Sequence, residues 1–364
     1  MTLTLVVPDR PRTTPSGGDR YDASVASAWA RRGRPPRVEA VPGSWPRPSA
    51  EDLRRLAHVL AAAGDGPVLV DGLVGSVSPE EIERSAAQRP TVVLVHSTLA
   101  DGAGAVGDDA ARFDALEGRA LGAASLVVAT SGWAQAELAR RFGLKGVVVA
   151  LPGTDAAQVA AGSDPPQMLT LAALTPMKNH LVLLAALHQV VDLPWAAVLV
   201  GPAPDDAHLA TVLAAVRERG LSDRVRLPGA LVGDALDRAW AATDLLVHPS
   251  RIETFGLVVT EAHAHGIPTV VGAGTGAEEA LRGEESLGGD TEDRDADGGP
   301  SSAQPGAAVT VDAPDELALL LRRWLTDTDL RGRWRASALR RREVVPGWDR
   351  TVDLLDAALD RLAR

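Results

Sequence analysis

The chain has 364 residues, 45% hydrophobic and 23% charged, which fits a folded protein with room for two domains. It contains no cysteine, which excludes disulfides, thiolate nucleophiles and cysteine-ligated zinc or iron–sulfur centres. A net charge of −11 leaves no basic footprint for sequence-independent nucleic-acid binding.

The apolar opening reaches only Val7 before Pro8-Asp9-Arg10, which predicts no secretory leader. The most apolar long window, 181–200, holds His188, Gln189, Asp192 and Pro194, so no transmembrane segment is predicted. A cytoplasmic location is the resulting expectation. In chain order, strands are predicted at 3–7, 38–41, 68–71, 91–96, 126–129 and 147–150. Amphipathic helices fall between them at 21–32, 51–63, 79–88, 109–121 and 133–142. Apolar strands alternating with helices imply βαβ units and a parallel sheet covered on both faces.

Periodicity lapses over 152–166 and then restarts. Strands are predicted at 168–172, 196–200, 224–227, 244–248, 269–271 and 307–311. Helices fit 179–191, 206–219, 234–242, 255–265, 277–282 and 315–326. The expected class is α/β: two Rossmann-like doubly wound domains facing across a cleft, with ligands at the carboxyl ends of the strands. The expected boundaries are 1–153, 154–345 and a terminal helix in 346–364 packing back towards the first domain. The stretch 283–306 is Gly, Ser, Pro, Asp and Glu almost throughout and reads as a mobile acidic insertion. Six arginines between Arg331 and Arg342 fit a solvated helix face more simply than attachment to a membrane surface.

Two glycine motifs resemble dinucleotide fingerprints: Gly102-Ala-Gly104-Ala-Val-Gly107 and Gly272-Ala-Gly274-Thr-Gly-Ala277. Neither follows the first strand of its half, and neither has an acidic residue ending the next strand, as that fingerprint needs.

The informative stretch is 244–271, which reads strand, loop, helix, tight turn, strand. A helix starting near Phe255 leaves the backbone N–H groups of Thr254, Phe255, Gly256 and Leu257 directed at an anion such as a diphosphate. Gly256 permits close approach of a phosphate. Glu261 then lies about 8–9 Å along the axis, where a carboxylate suits a ribose diol. Glu253, eight residues earlier, can reach sugar hydroxyls. His248, His263 and His265 do not form a metal pattern, because His263 and His265 point to different helix faces.

These residues resemble the retaining glycosyltransferases of family 4, which have the GT-B fold and an E-x7-E motif. The resemblance implies that Glu253 contacts the donor sugar, Glu261 the ribose and the backbone from Thr254 to Val258 the diphosphate. Leu174-Thr-Pro-Met-Lys178 is similar to the family turn whose lysine neutralises the leaving diphosphate. The family's preceding arginine is absent: Ala172 and Ala173 stand there, with Arg251 a candidate replacement. Asn179 replaces the usual glycine after the lysine. Gly17 and Gly18 resemble the family's Gly-Gly turn under the donor phosphates, and His96 matches a histidine near the donor sugar. The implied reaction moves a sugar from a nucleotide-diphosphate sugar to an unidentified acceptor, with retention and with neither cofactor nor metal. Two alternatives stay open: a nucleotide-sugar 2-epimerase of the same fold, and a non-catalytic sugar-nucleotide-binding module.

Overall fold

The computed structural model describes residues 2–10, 16–283 and 304–362. Of the acidic stretch 283–306, residues 284–303 lie outside the described residues. The chain divides into two compact units, Met1–Gly153 with Pro346–Arg364, and Thr154–Val345.

The first unit is built on β1 (Thr4–Pro8), β2 (Arg37–Val41), β3 (Val68–Asp71), β4 (Thr91–Val95), β5 (Leu126–Ala129) and β6 (Val148–Val149). All pairings are parallel and the order is β2-β1-β3-β4-β5-β6. Every residue of β3 and β4 is buried, as expected of parallel strands covered on both faces. The chain leaves β1 for β2 on one side and returns to β3 on the other. The crevice at the carboxyl ends of β1 and β3 is therefore a topological switch point, where doubly wound sheets bind ligands.

The second unit repeats the logic with β7 (Gln167–Leu171), β8 (Ala196–Val200), β9 (Val225–Gly229), β10 (Leu245–His248), β11 (Thr269–Gly272) and β12 (Gly306–Val309). Its order is β12-β11-β10-β7-β8-β9, again all parallel. The switch point lies between β7 and β10. Trp324 and Trp334 are among the largest fully buried side chains of its core. Among the described residues, no helix is long and apolar enough to cross a membrane.

Local sequence explains several helix starts. Ser16 and Asp19 form a capping box at helix Gly17–Arg31, Ser49 and Asp52 another at helix Ala50–Ala61, and Ser131 caps helix Gly132–Phe142. The helices Gly72–Gly75 and Leu99–Gly102 have no counterpart in the predicted elements, because one turn is too short to show a period. The expected helix 179–191 is confined to His180–His188.

The basic stretch departs from the solvated face expected of it. In helix Thr328–Arg342, four arginines donate to backbone carbonyls: Arg331 to Trp324 and Leu325, Arg335 to Gly266 and Ala160, Arg341 to Arg282, and Arg342 to Ala264 and Ala157. Helix ends leave carbonyls such as those of Trp324, Leu325, Ala264 and Arg282 without intrahelical donors, and guanidinium groups supply them; Ala157 and Ala160 are served in the same way in an irregular stretch.

Helix Trp348–Leu362 packs on helix Gly17–Arg31 within the first unit. Trp29 Nε1 donates to Asp356 Oδ1 at 3.0 Å, Arg32 Nη1 to Asp353 Oδ1 at 2.6 Å, and Thr351 Oγ1 to the Leu151 carbonyl at 2.8 Å. Its apolar face, including Val352 and Leu355, is buried. Leu355 is 1% exposed, so Leu355→Ala is expected to destabilise the first unit by about 2–5 kcal/mol. Chemical denaturation measures this; a loss under about 1 kcal/mol would show that the helix adds little to that core.

Candidate active site

In the second unit two turns meet at the switch point. The chain leaves β7, forms a single 3-10 turn Pro176–Lys178 and passes through Asn179 at φ 61°. Asn tolerates this left-handed conformation better than most residues, which explains how it stands where a glycine was expected. Asn179 Nδ2 donates to the Pro249 carbonyl at 3.1 Å, and the Arg251 N–H to the Met177 carbonyl at 2.9 Å. These bonds tie the Lys178 turn to the loop after β10.

That loop carries Glu253. Lys178 Nζ donates to Glu253 Oε2 at 2.6 Å, and His248 Nε2 lies 2.9 Å from the same oxygen. Ser250 Oγ is 3.1 Å from His248 Nε2. The Glu253 side chain is 16% exposed. Burial alone would raise its pKa. The Lys178 charge and the His248 hydrogen bond outweigh burial and hold the carboxyl well below the ordinary carboxylate range. The loop is also clamped from the β11 side: the Gly276 N–H donates to the Glu253 carbonyl at 2.7 Å. A Cβ at Gly276 would sit 2.0 Å from the Thr254 carbonyl oxygen. Gly272 and Gly276 thus permit close approach to this loop.

The helix after the loop is Leu257–Ala264, two residues later than the expected start at Phe255. Gly256, at φ 86°, breaks the helical path and stands at the N-cap, where it offers no side-chain cap. Phe255 is a buried loop residue, while Leu257 and Val258 open the helix. Their N–H groups have no intrahelical acceptors, so this end presents donors and a positive dipole end. Glu261 is buried and lies about 6 Å along the axis from Leu257, closer than the expected start implied. Thr254 lies in the loop, partly exposed. Arg251 is exposed, and its guanidinium is engaged by Asp312 Oδ1 at 2.7 Å and the Pro176 carbonyl at 3.1 Å.

The other histidines go elsewhere. His263 Nε2 lies 3.4 Å from Thr269 Oγ1, and burial, then Arg341, lowers its pKa to about 3. His265 stacks on Trp240 at 5.0 Å.

In the first unit Gly17 opens its helix behind the Ser16 cap. A Cβ at Gly18 would lie 2.9 Å from His96 Cδ2, so glycine there lets the imidazole sit against the helix start. His96 follows β4. Its Nε2 is 3.1 Å from Asp22 Oδ1 and 3.5 Å from Asp71 Oδ2. Asp71, the last residue of β3, receives the Leu73 N–H on Oδ1 at 2.6 Å. Both carboxylates are buried. Burial and the Asp22 charge push Asp71 up to about 8. Burial works against a charged His96, but Asp22, Asp71 and Asp19 raise it to about 9.

The structure therefore brings Lys178 and Glu253 together at one switch point, with Thr254 to Val258 following in the chain, and places His96 against Gly18 at the other. Sequence reasoning missed Asp22 and Asp71 and weighed His248 only as a metal ligand. A carboxylate ending the apolar run 68–71 was the available signal for Asp71, and a histidine ending the 244–248 run was that for His248.

Known proteins resemble the chain in sequence and in fold. D-inositol 3-phosphate glycosyltransferase of Mycobacterium sp. (strain KMS) is 36% identical over 132 residues, 35% of this chain and 29% of that relative's length. Sucrose-phosphate synthase from Thermosynechococcus elongatus superposes with a TM-score of 0.80 at 18% identity, covering 100% of this chain and 99% of the other. The Anabaena protein HepE, solved with UDP and glucose, gives 0.73 at 20% identity, covering 99% and 100%. These likenesses establish two Rossmann-like units of the GT-B type. The family described as Glycosyl transferases group 1 matches residues 154–341, the span that holds Lys178, His248, Glu253 and Glu261, and the chain belongs to that family.

Proposed function

We propose that the chain is a retaining, metal-independent glycosyltransferase of family 4, acting in the cytoplasm on a nucleotide-diphosphate sugar. The observation that carries the reading is the Lys178–Glu253–His248 cluster at the β7/β10 switch point, with a helix that no side chain caps starting four residues after Glu253. Lys178 is the cation for the diphosphate, joined by the backbone N–H groups from Thr254 to Val258. Glu253, kept ionised, accepts hydroxyls of the donor sugar, and Glu261 accepts the ribose diol. With Arg251 engaged by Asp312, Lys178 bears the main neutralising role.

Lys178 and His248 both occupy Glu253 Oε2, which argues against its use as a nucleophile. The step is then a front-face displacement. The anomeric carbon's bond to the diphosphate oxygen breaks as its bond to the acceptor oxygen forms. The acceptor's proton passes to the departing diphosphate. Catalysis comes from positioning and from neutralising the leaving group. The name of the mycobacterial relative makes an inositol phosphate the first acceptor to try, and the UDP bound to HepE puts uridine donors first.

A panel of uridine, guanosine, adenosine and thymidine diphosphate sugars should raise the melting temperature with one base preferred. Turnover of the best donor should give a product with the donor's anomeric configuration by NMR. Flat melting temperatures across the panel, or an inverted product, would sink the reading. Lys178→Ala is expected to lower kcat by about 10²–10³-fold, the scale of losing one transition-state donor. Activity within a few-fold of wild type in both Lys178→Ala and Glu253→Ala would remove these residues from the chemistry.

The depressed pKa of Glu253 gives a stability prediction. Its ionised form stabilises the fold above the ordinary value of 4.5, and that contribution is lost as pH falls below it towards the folded pKa. The deficit of Glu253→Gln relative to wild type, measured by urea denaturation, should therefore be largest at neutral pH and shrink by about pH 3.5. A deficit independent of pH would mean that the charge contributes nothing.

A further inference from the structure

We infer that Asp22 and Asp71 share one proton and together hold His96 as an imidazolium, so that His96 meets substrate as a hydrogen-bond donor and not as a base. The state of the triad stands on geometry alone; its use on a substrate oxygen rests on the transferase reading.

Three elements converge: helix Gly17–Arg31 supplies Asp22, β3 ends in Asp71, and His96 follows β4. They meet beside the β1/β3 switch point, where a doubly wound sheet takes its ligands. His96 Nε2 carries at most one hydrogen and has both carboxylates within reach, at 3.1 and 3.5 Å. Asp71 Oδ1 is committed to the Leu73 N–H, so its Oδ2 turns into the cluster. Asp22 Oδ2 is buried without a donor. An orphaned carboxylate oxygen in the interior is destabilising, as are two like charges side by side. A proton retained on the carboxyl pair, whose oxygens lie within 4.8 Å of each other and of the imidazole nitrogen, relieves both.

Charge counting gives the same answer. Two carboxylates and one imidazolium leave a net negative charge in a buried place; one shared proton brings the triad to neutrality. Among the described residues, the other groups that act on the triad do not upset this count. Asp19, on the same helix, is ion-paired to Arg10 at 3.8 Å and further favours the imidazolium. Tyr21 lies edge-on to His96 at 5.0 Å, and burial followed by Asp22 keeps its phenol well above its usual value, hence neutral. The shifts of Asp71 to about 8 and His96 to about 9 agree with this distribution. Asp22 and Asp71 are thus positioning residues: they act through the imidazole of His96.

The experiment is an NMR pH titration of the full-length chain with isotope-labelled histidine, its His96 resonances assigned from His96→Gln. His96 should remain protonated through neutral pH, with a midpoint near 9. Asp22→Asn combined with Asp71→Asn should lower that midpoint by at least about one pH unit, the effect of removing the adjacent opposite charge. Asp71→Asn copies the protonated acid and should leave His96 charged at pH 7. Unchanged signals from the other histidines report that each variant is folded. A wild-type midpoint near the ordinary 6.5, or a midpoint indifferent to the double substitution of Asp22 and Asp71, would overturn the inference. So would loss of the His96 charge at pH 7 in Asp71→Asn. Selective broadening of His96 by stoichiometric Mn²⁺ would also overturn it, since a cation would then occupy the place given to the proton. None of these readings needs a donor or turnover, so the triad can fail while the transferase reading stands, and the reverse.

Discussion

A carboxylate withdrawn from water must be matched, and at the centre of the second unit Glu253 is matched twice, by Lys178 and by His248. Much of the local architecture serves that match. Asn179 and the Arg251 backbone stitch the Lys178 turn to the Glu253 loop, and Gly276 holds the loop from the β11 side. The arrangement also bears on the proposed chemistry. A bound diphosphate would take Lys178 from Glu253, while sugar hydroxyls would give Glu253 new donors. Each group changes partner without being left alone, so the large penalty for breaking a buried pair is avoided.

The placement follows from topology. In a parallel sheet every strand ends on the same edge, and the following loops fan apart where the chain reverses its direction of travel. β7 and β10 are neighbours at that point, so turns separated by about seventy residues in the chain face each other across one strand spacing. The helix that follows is finished at one end only. Arg335 and Arg342 supply donors to carbonyls at its carboxyl end, at Gly266 and Ala264, while Gly256 leaves its amino end without a side-chain cap. That asymmetry leaves the positive end of the dipole available to an anion.

The strand and helix alternation was legible because apolar β-branched runs such as 91–95 and 245–247 are long enough to stand out. The pair Lys178 and Glu253 was legible only through local context, since spacing alone says nothing about which loops meet. The exact start of the site helix was not. Phe255 continues an apolar pattern, and only the left-handed backbone at Gly256 ends it. The arginines of 331–342 looked solvated because the carbonyls they serve belong to other elements. Asp22, Asp71 and His96 stand at unrelated spacings, and nothing in one dimension announces that one helix and two strand ends bring them together.

Both clusters join an imidazole to a buried carboxylate, yet they hold protons differently, and the third member decides. Beside Glu253 the third member is an ammonium. Its charge satisfies the carboxylate, so no added proton is needed and Glu253 stays ionised far into acid. Beside Asp22 the third member is another carboxylate. That cluster sets two carboxylates against one imidazole, and its surplus negative charge can be lowered by keeping a proton. The imidazole is then drawn to its cationic form by the carboxylate that remains charged. One unit thus presents a lysine and an ionised glutamate suited to a phosphate and to hydroxyls. The other presents a cationic imidazole, restricted to donating, whose state is set by two residues buried behind it.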